Sequence, residues 1–295
     1  MMDKKTLIHA KVHFFSTLSI ATCMFLVCAV SLMITPSKAS ACTLFAANGT
    51  AVDGGGTLIA KTRDWGEAEH QEIRVDKSGY YAICGLYAGE PGDTKLKAGI
   101  NEKGLVVVSA SASSVPKSER AEVPGRPTQK LMLMNCDSVD DALAHKELIR
   151  GMKFLMLADS TKAACIESGP DGHYTVHIIE NGTYAHTNHY IDDEMKQYNR
   201  LKRASSIKRL SRIRYLLSHD GGPLMMEDFI RFTEDRHDGP DCSIWRVGSS
   251  EDAPQTLAAI VVRLRPNEAP KLYIKYRSEP NEKGQEKEVR ISAPF

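Results

Sequence analysis

The chain has 295 residues, of which 42% are apolar and 25% charged, and its formal net charge is +1. Residues 1–41 hold four lysines and one aspartate, so the remaining 254 residues stand near −2. That is ample length for one large domain with its own core, and the balance excludes a charge-driven partner such as nucleic acid.

The N-terminal segment reads as a secretory signal. Lys4, Lys5 and Lys11 precede an uncharged apolar run from Phe14 to Ile34, then a short polar stretch ending in Ala39-Ser40-Ala41 before Cys42. A basic start, an apolar middle and a small-residue A-x-A site mark a cleavable export signal. The expected organisation is therefore a cleaved signal over 1–41 and a single catalytic domain over 42–295. Two other readings of the junction exist. Cys42 could be a lipidated lipoprotein cysteine, although Ala39 replaces the large aliphatic residue and Pro36-Ser37-Lys38 separates it from the apolar run. An uncleaved anchor is the other, since about 20 apolar residues span a bilayer.

The elements that follow are mostly strands. Thr43–Ala47 leads through Asn48-Gly49 and Gly54-Gly55-Gly56 to a second strand at Thr57–Thr62. The three glycines lack a following lysine-serine and precede a strand, so they read as a turn and not as a phosphate loop. Tyr80–Tyr87 is another apolar segment, and Lys97–Ile100 and Leu105–Ala110 flank a hairpin turn at Asn101–Gly104. Gly125–Ile149 reads as helical, with Ser138 as an N-cap for its second part. Strands resume at Lys153–Ala158, Ala163–Glu167, Tyr174–Glu180 and Tyr184–His186, with Asn181-Gly182 as a tight turn.

Residues 199–218 show a helical apolar stripe of Ile207, Leu210, Ile213 and Leu217. Lys202, Arg203, Lys208, Arg209 and Arg212 read as its solvated face. Strands return at Thr256–Leu264 and Lys271–Tyr276, and the polar tail 278–290 reads as partly loose. Strands, then helices, then strands point to an α+β fold with antiparallel sheets.

The cysteines carry the chemistry. Cutting after Ala41 leaves Cys42, Cys84, Cys136, Cys165 and Cys242. An odd count in an exported chain leaves one thiol over, and Cys42 is the natural one. No C-x-x-C spacing suggests zinc, so neither a metal nor a cofactor is expected. A terminal cysteine carries a thiol and an α-amine whose pKa lies near 8. One residue then supplies nucleophile and base. The second strand could return beside the first and bring Lys61-Thr62-Arg63-Asp64-Trp65 near Cys42. We assign Lys61 and Arg63 to opposite faces of that strand, with one of them near the sulfur. Asp64 is a candidate to hold the amine, or else a surface ion pair.

Cys42-Thr43 followed by Thr57-Leu58-Ile59-Ala60-Lys61-Thr62-Arg63-Asp64-Trp65 resembles the opening of the N-terminal-nucleophile (Ntn) amidases. The nearest groups are the choloylglycine hydrolase and penicillin V acylase family and the related acyl-CoA:6-aminopenicillanic acid acyltransferases. Gly99–Leu105, Thr187-Asn188-His189, Cys242–Arg246 and Thr256–Val261 are similar to further segments of these families. The resemblance implies a four-layer αββα sandwich of two antiparallel sheets. It implies an exported amidase of linear, non-peptide carbon–nitrogen bonds, acting through a thioester on Cys42. Asp64 falls on the aspartate that meets the α-amine, Asn188 on the oxyanion asparagine, and Lys61 where the bile-salt and penicillin branch has arginine. Ser111 falls near a second asparagine of that branch. The late functional arginine is Arg209 or Arg246; Arg246 is preferred as the substrate-binding residue because its neighbours match.

The partners implied are a small-molecule N-acyl amide and a signal peptidase, with no nucleic acid and no stable membrane association after cleavage. Self-association is left open. The location implied is periplasmic or extracellular. Alternatives are acyl transfer to an amine, an Ntn dipeptidase, and a non-catalytic exported binding lipoprotein. His186 and His189 read as satisfied or surface histidines, and Trp65 and Trp245 as pocket or core residues.

Overall fold

The computed structural model describes residues 41–295 apart from 67, 124, 220, 281 and 283. The expected signal, up to Ser40, lies outside the described residues. No helix among those described is long and apolar enough to cross a membrane.

Two antiparallel sheets carry the fold. The first has six strands: β1 (Ala41–Asn48), β2 (Thr57–Trp65), β10 (Gly182–His186), β11 (Gln255–Leu264), β12 (Lys271–Tyr276) and β13 (Lys287–Ser292), in the order β10-β1-β2-β11-β12-β13. The second runs in chain order through β3 (His70–Asp76), β4 (Ile83–Glu90), β5 (Asp93–Asn101), β6 (Val106–Ser111), β7 (Lys153–Ala158), β8 (Ala163–Ser168) and β9 (Tyr174–Ile179). Five helices complete the described chain: α1 (Lys117–Glu122), α2 (Thr128–Asn135), α3 (Val139–Ala144), α4 (Ala204–His219) and α5 (Met226–Thr233).

Alternation along the strands builds three cores. Leu44, Ala46 and Ile59 of the first sheet meet Leu86, Ile100, Val106 and Met156 of the second, so the sheets pack face to face. Phe45, Leu58 and Val261, on the other face of the first sheet, pack with Leu210 and Ile213 of α4 and Phe229 and Phe232 of α5. Val107, Leu155 and Ile166, on the outer face of the second sheet, pack with Met132 and Leu133 of α2 and Val139 and Ala142 of α3. The result is the expected αββα sandwich. The β1–β2 connection needs its glycines: Gly56 has φ +85°, and a Cβ there would lie 2.2 Å from the Leu264 carbonyl oxygen.

Two expectations of detail fail for physical reasons. Residues 125–149 do not form one helix. Pro127 keeps the residue before it out of the helical region, and Cys136 is extended (φ −106°, ψ 143°). Ser138 then caps α3 as expected, accepting from the Asp141 N–H at 3.2 Å. The end of the tail is ordered as β13, which pairs with β12 from Lys271↔Ser292 to Tyr276↔Lys287. In α4 the stripe is shifted: Ile207 is half exposed, and Arg209 is buried in the face with Ser206, Leu210, Ile213 and Leu217. The remaining cysteines Cys84, Cys136, Cys165 and Cys242 are free thiols. Burial pushes the thiol of Cys84 up, that of Cys165 well up, and that of Cys136 up to about 12.

Candidate active site

Cys42 opposes Arg63 across the β1–β2 ladder, and Leu44 opposes Lys61. Directly opposed residues share a face, so Cys42, Lys61 and Arg63 point together between the sheets. The assignment of Lys61 and Arg63 to opposite faces fails on the same ground, since residues two apart in a strand share a side. All three line a cavity of about 550 Å³ with Asp64, Trp65, Lys97 and Ser111.

The backbone of Cys42 is held on both sides. Its N–H donates to Asn188 Oδ1 at 2.8 Å. Its carbonyl accepts from Arg209 Nη1 at 2.6 Å, and Arg209 Nη2 donates to the same Asn188 Oδ1 at 3.0 Å. Asn188 Nδ2 donates to the Ser111 carbonyl at 2.9 Å, so both ends of its amide are fixed. The loop after β10 is anchored to α4: the Asn188 N–H and the Thr187 hydroxyl both meet the Ser206 hydroxyl, at 2.9 Å each. One helical turn after Ser206, the fully buried Arg209 reaches Cys42. Burying a guanidinium costs energy unless hydrogen bonds satisfy it. Here Nη1 also donates to Thr43 Oγ1 (2.9 Å) and Nε to Ser205 Oγ (3.3 Å).

Asp64 lies on the opposite side of β2, paired in register with Ala41 and Thr256. Its Oδ1 accepts from Thr256 Oγ1 at 2.8 Å. Its Oδ2 is buried with no hydrogen-bond partner, 3.8 Å from Arg246 Nη1. Burial raises its carboxyl above the ordinary aspartate value, and Arg209 and Arg246 pull it back. Arg246 is itself held by Thr256, whose hydroxyl accepts from the Arg246 N–H at 2.8 Å.

Thus the structure brings Cys42, Asn188 and Arg209 into one hydrogen-bonded set, with Lys61 beside Cys42 in the cavity wall. Arg246 is buried behind Asp64 and does not line that cavity. Arg209 does not line it either; what separates the two arginines is that Arg209 bonds Cys42 and Asn188 whereas Arg246 stands beside Asp64. Arg209 stood in the sequence both as a candidate for the late arginine and as part of a solvated basic stripe; its spacing from Ser206 and Ile213 was the signal for burial.

Lys61 Nζ donates to the Lys97 carbonyl at 2.8 Å. Burial lowers its pKa to about 8, partly offset by the charge of Cys42. Trp65 lines the cavity mouth beneath Arg63 (5.6 Å), whereas Trp245 is buried near Lys275. His186 is buried and bonded to Glu167 at 2.8 Å. His189, bonded to Ser206 Oγ at 2.8 Å, is lowered to about 4 by burial. Away from the cavity, Cys136, Asp141 and His145 bring ligand-type atoms within 4.8 Å of one another, a cluster that sequence spacing did not suggest.

A family model described as acyl-coenzyme A:6-aminopenicillanic acid acyl-transferase matches residues 52–274. The chain belongs to this family. Membership places it among the Ntn hydrolases with the choloylglycine hydrolases and penicillin acylases, enzymes that act on carbon–nitrogen amide bonds with a cysteine nucleophile. Among solved structures, a mutant of the conjugated bile acid hydrolase from Clostridium perfringens aligns at TM-score 0.53 and 12% identity, covering 86% of this chain and 97% of its own. A second variant of that hydrolase aligns at 0.52 and 14%, covering 84% and 92%. Penicillin V acylase from Agrobacterium tumefaciens aligns at 0.46 and 15%, covering 85% and 86%. At such identities the first two likenesses speak for the fold of this family member alone. No curated protein sequence matches it.

Proposed function

We propose that the exported protein begins at Cys42 and hydrolyses a linear N-acyl amide through a thioester on that residue. The observation that carries the reading is the double hold on Cys42 at the cavity wall: Asn188 on its nitrogen and Arg209 on its carbonyl. The backbone N–H of Cys42 stands in for the α-amine that cutting would free. That amine takes the thiol proton, and the sulfur attacks the substrate carbonyl carbon. The Asn188 Nδ2 has a second N–H beyond the one given to Ser111, and it is available to the developing oxyanion. The unpartnered Asp64 Oδ2, on the residue opposite Ala41, is suited to accept from the new α-ammonium. The leaving amine takes a proton from that ammonium as the carbon–nitrogen bond breaks. Water, deprotonated by the α-amine, then resolves the thioester. A cavity of this size suits a small organic substrate.

The name of the matched family favours a second reading, in which an amine replaces water in the last step. Excess acceptor amine then yields new amide at the expense of free acid. The test of the main reading is intact mass. Protein recovered from the exported fraction should begin at Cys42 without a lipid, and a rapid acid quench during turnover should show one acyl group on Cys42. A different first residue, or a lipidated amine, removes the mechanism.

Lys61 supplies a pH test. As a cation beside the sulfur it favours the thiolate, and that charge is lost as pH rises through about 8. We expect kcat/KM to fall on the alkaline side near that pH, and Lys61→Arg to carry the falling limb upward. An unchanged limb in Lys61→Arg assigns it to another group. The stability sign follows from the same depression. Between about 8 and the ordinary lysine value of 10.5, the unfolded chain binds more protons than the folded one. The burial penalty of Lys61 is therefore full below pH 8 and fades as pH rises.

A further inference from the structure

The cavity is lined by nine lysine and arginine side chains against one carboxylate, Asp64. Four of the nine have their own acidic partners: Arg63 pairs with Glu69, Arg74 with Glu72, Lys95 with Asp93 and Lys130 with Asp76. The other five have no carboxylate partner among the described residues, and four of them form two groups along one wall. Beside Cys42, Lys61 Nζ donates to the Lys97 carbonyl, and Lys97 itself is half-buried and unpaired. At the far end, Lys153 Nζ donates to the Arg126 carbonyl at 2.8 Å and lies 3.4 Å from Thr128 Oγ1. Gln129 lies against the first group. Its Nε2 donates to the Lys97 carbonyl at 3.0 Å, and its Oε1 accepts from Ser109 Oγ at 2.7 Å.

Lys61 is buried and Lys97 and Lys153 are half-buried, whereas Arg126 is exposed; a lysine taken from water without a carboxylate partner is costly, because its desolvation goes uncompensated. Burial lowers the pKa of Lys97 and Lys153 accordingly. Such a wall destabilises the empty protein and is offset when an anion enters. Two separate groups of unpaired cations call for two separate anionic groups on one ligand.

We infer that the substrate of this site is a dianionic or polyanionic N-acyl amide, one anionic group lying at Lys97 beside the scissile bond and a second at Lys153 and Arg126. The inference rests on the proposed function for the identity of the reacting bond, and on the cavity alone for the charges. Carboxylates and phosphate esters share the required chemistry.

The test uses exported protein carrying Cys42→Ala, so that binding is read without turnover. Citrate, pyrophosphate and acetate are titrated by calorimetry at matched ionic strength. At least one of the two polyanions should bind about tenfold or more tightly than acetate, a difference of about 1.4 kcal/mol. Citrate leading identifies a polycarboxylate ligand, and pyrophosphate leading a phosphorylated one. Lys153→Gln combined with Arg126→Gln should remove most of that advantage, while Lys202→Gln, an exposed lysine outside the cavity, should not. Circular dichroism establishes that each variant is folded. The inference falls if neither polyanion outbinds acetate, or if the double variant, folded, keeps the full advantage. Failure of the hydrolytic reading is separate, because it shows in wild-type turnover and leaves these titrations unchanged.

Discussion

Replacing Cys42 with alanine should leave a folded protein that turns over no amide. The substitution removes one sulfur from a residue at the edge of the inter-sheet core and leaves every backbone bond of β1 in place. The structural cost is about 1 kcal/mol, typical of a single small truncation. The chemical cost is the nucleophile itself, and loss of a nucleophile from a concerted set lowers turnover by roughly 10⁴-fold or more. Circular dichroism and thermal melting should be close to wild type while product formation drops to background. A folded Cys42→Ala protein that keeps its amidase activity would refute the thioester mechanism.

Arg209→Met should be the most damaging change outside the nucleophile. It removes the donor to the Cys42 carbonyl, the donor to Thr43 and a donor to Asn188 in one step. It also leaves Asp64, otherwise near two buried arginines, with Arg246 at 3.8 Å. Breaking a buried charge network by removing one partner costs about 3–5 kcal/mol. Loosening the set that aims Cys42 should lower kcat by about 100-fold, the scale of an ångström misplacement. Arg246→Met should be milder on kcat, since Arg246 touches neither Cys42 nor Asn188 by any described hydrogen bond. Urea denaturation and steady-state kinetics on the pair decide between them. If Arg246→Met raises KM with kcat unchanged and Arg209→Met does not alter kcat, the sequence preference for Arg246 as the substrate residue stands after all.

The architecture was legible because the strands advertise themselves. Leu44, Ala46 and Phe45, Ala47 alternate cleanly between two cores, and the turn residues at 48–49, 101–104 and 181–182 fall between strands. What hid was the sheet margin. β3 and β13 are each an edge strand of their sheet and carry mostly charged or half-exposed residues, so no apolar signal marks them. The helix α5 had a usable signal in Met226, Phe229 and Phe232 that went unread.

At the candidate site, the motif around Cys42 and Asp64 pointed to the β1–β2 hairpin and Asn188 to the loop after β10, segments that the structure brings together. The burial of Arg209, a candidate alongside Arg246, escaped because charge was weighed above helical position. The cationic wall was invisible for a different reason. Its members come from β2, β5, β7 and the segment before α2. A net charge near −2 averages over the surface and carries no record of which side chains the fold gathers.

The place of Ala41 has one more consequence. It is buried and paired with Asp64 as the first residue of β1, which lies between β10 and β2 in the interior of its sheet. A peptidase needs a pliable stretch to thread through its cleft, and a rung in the middle of a closed ladder offers none. On the proposed maturation, severing the 41–42 bond would have to come before the sheet zips shut, and the same enclosure would afterwards shield the new end from exopeptidase trimming that would discard the sulfur.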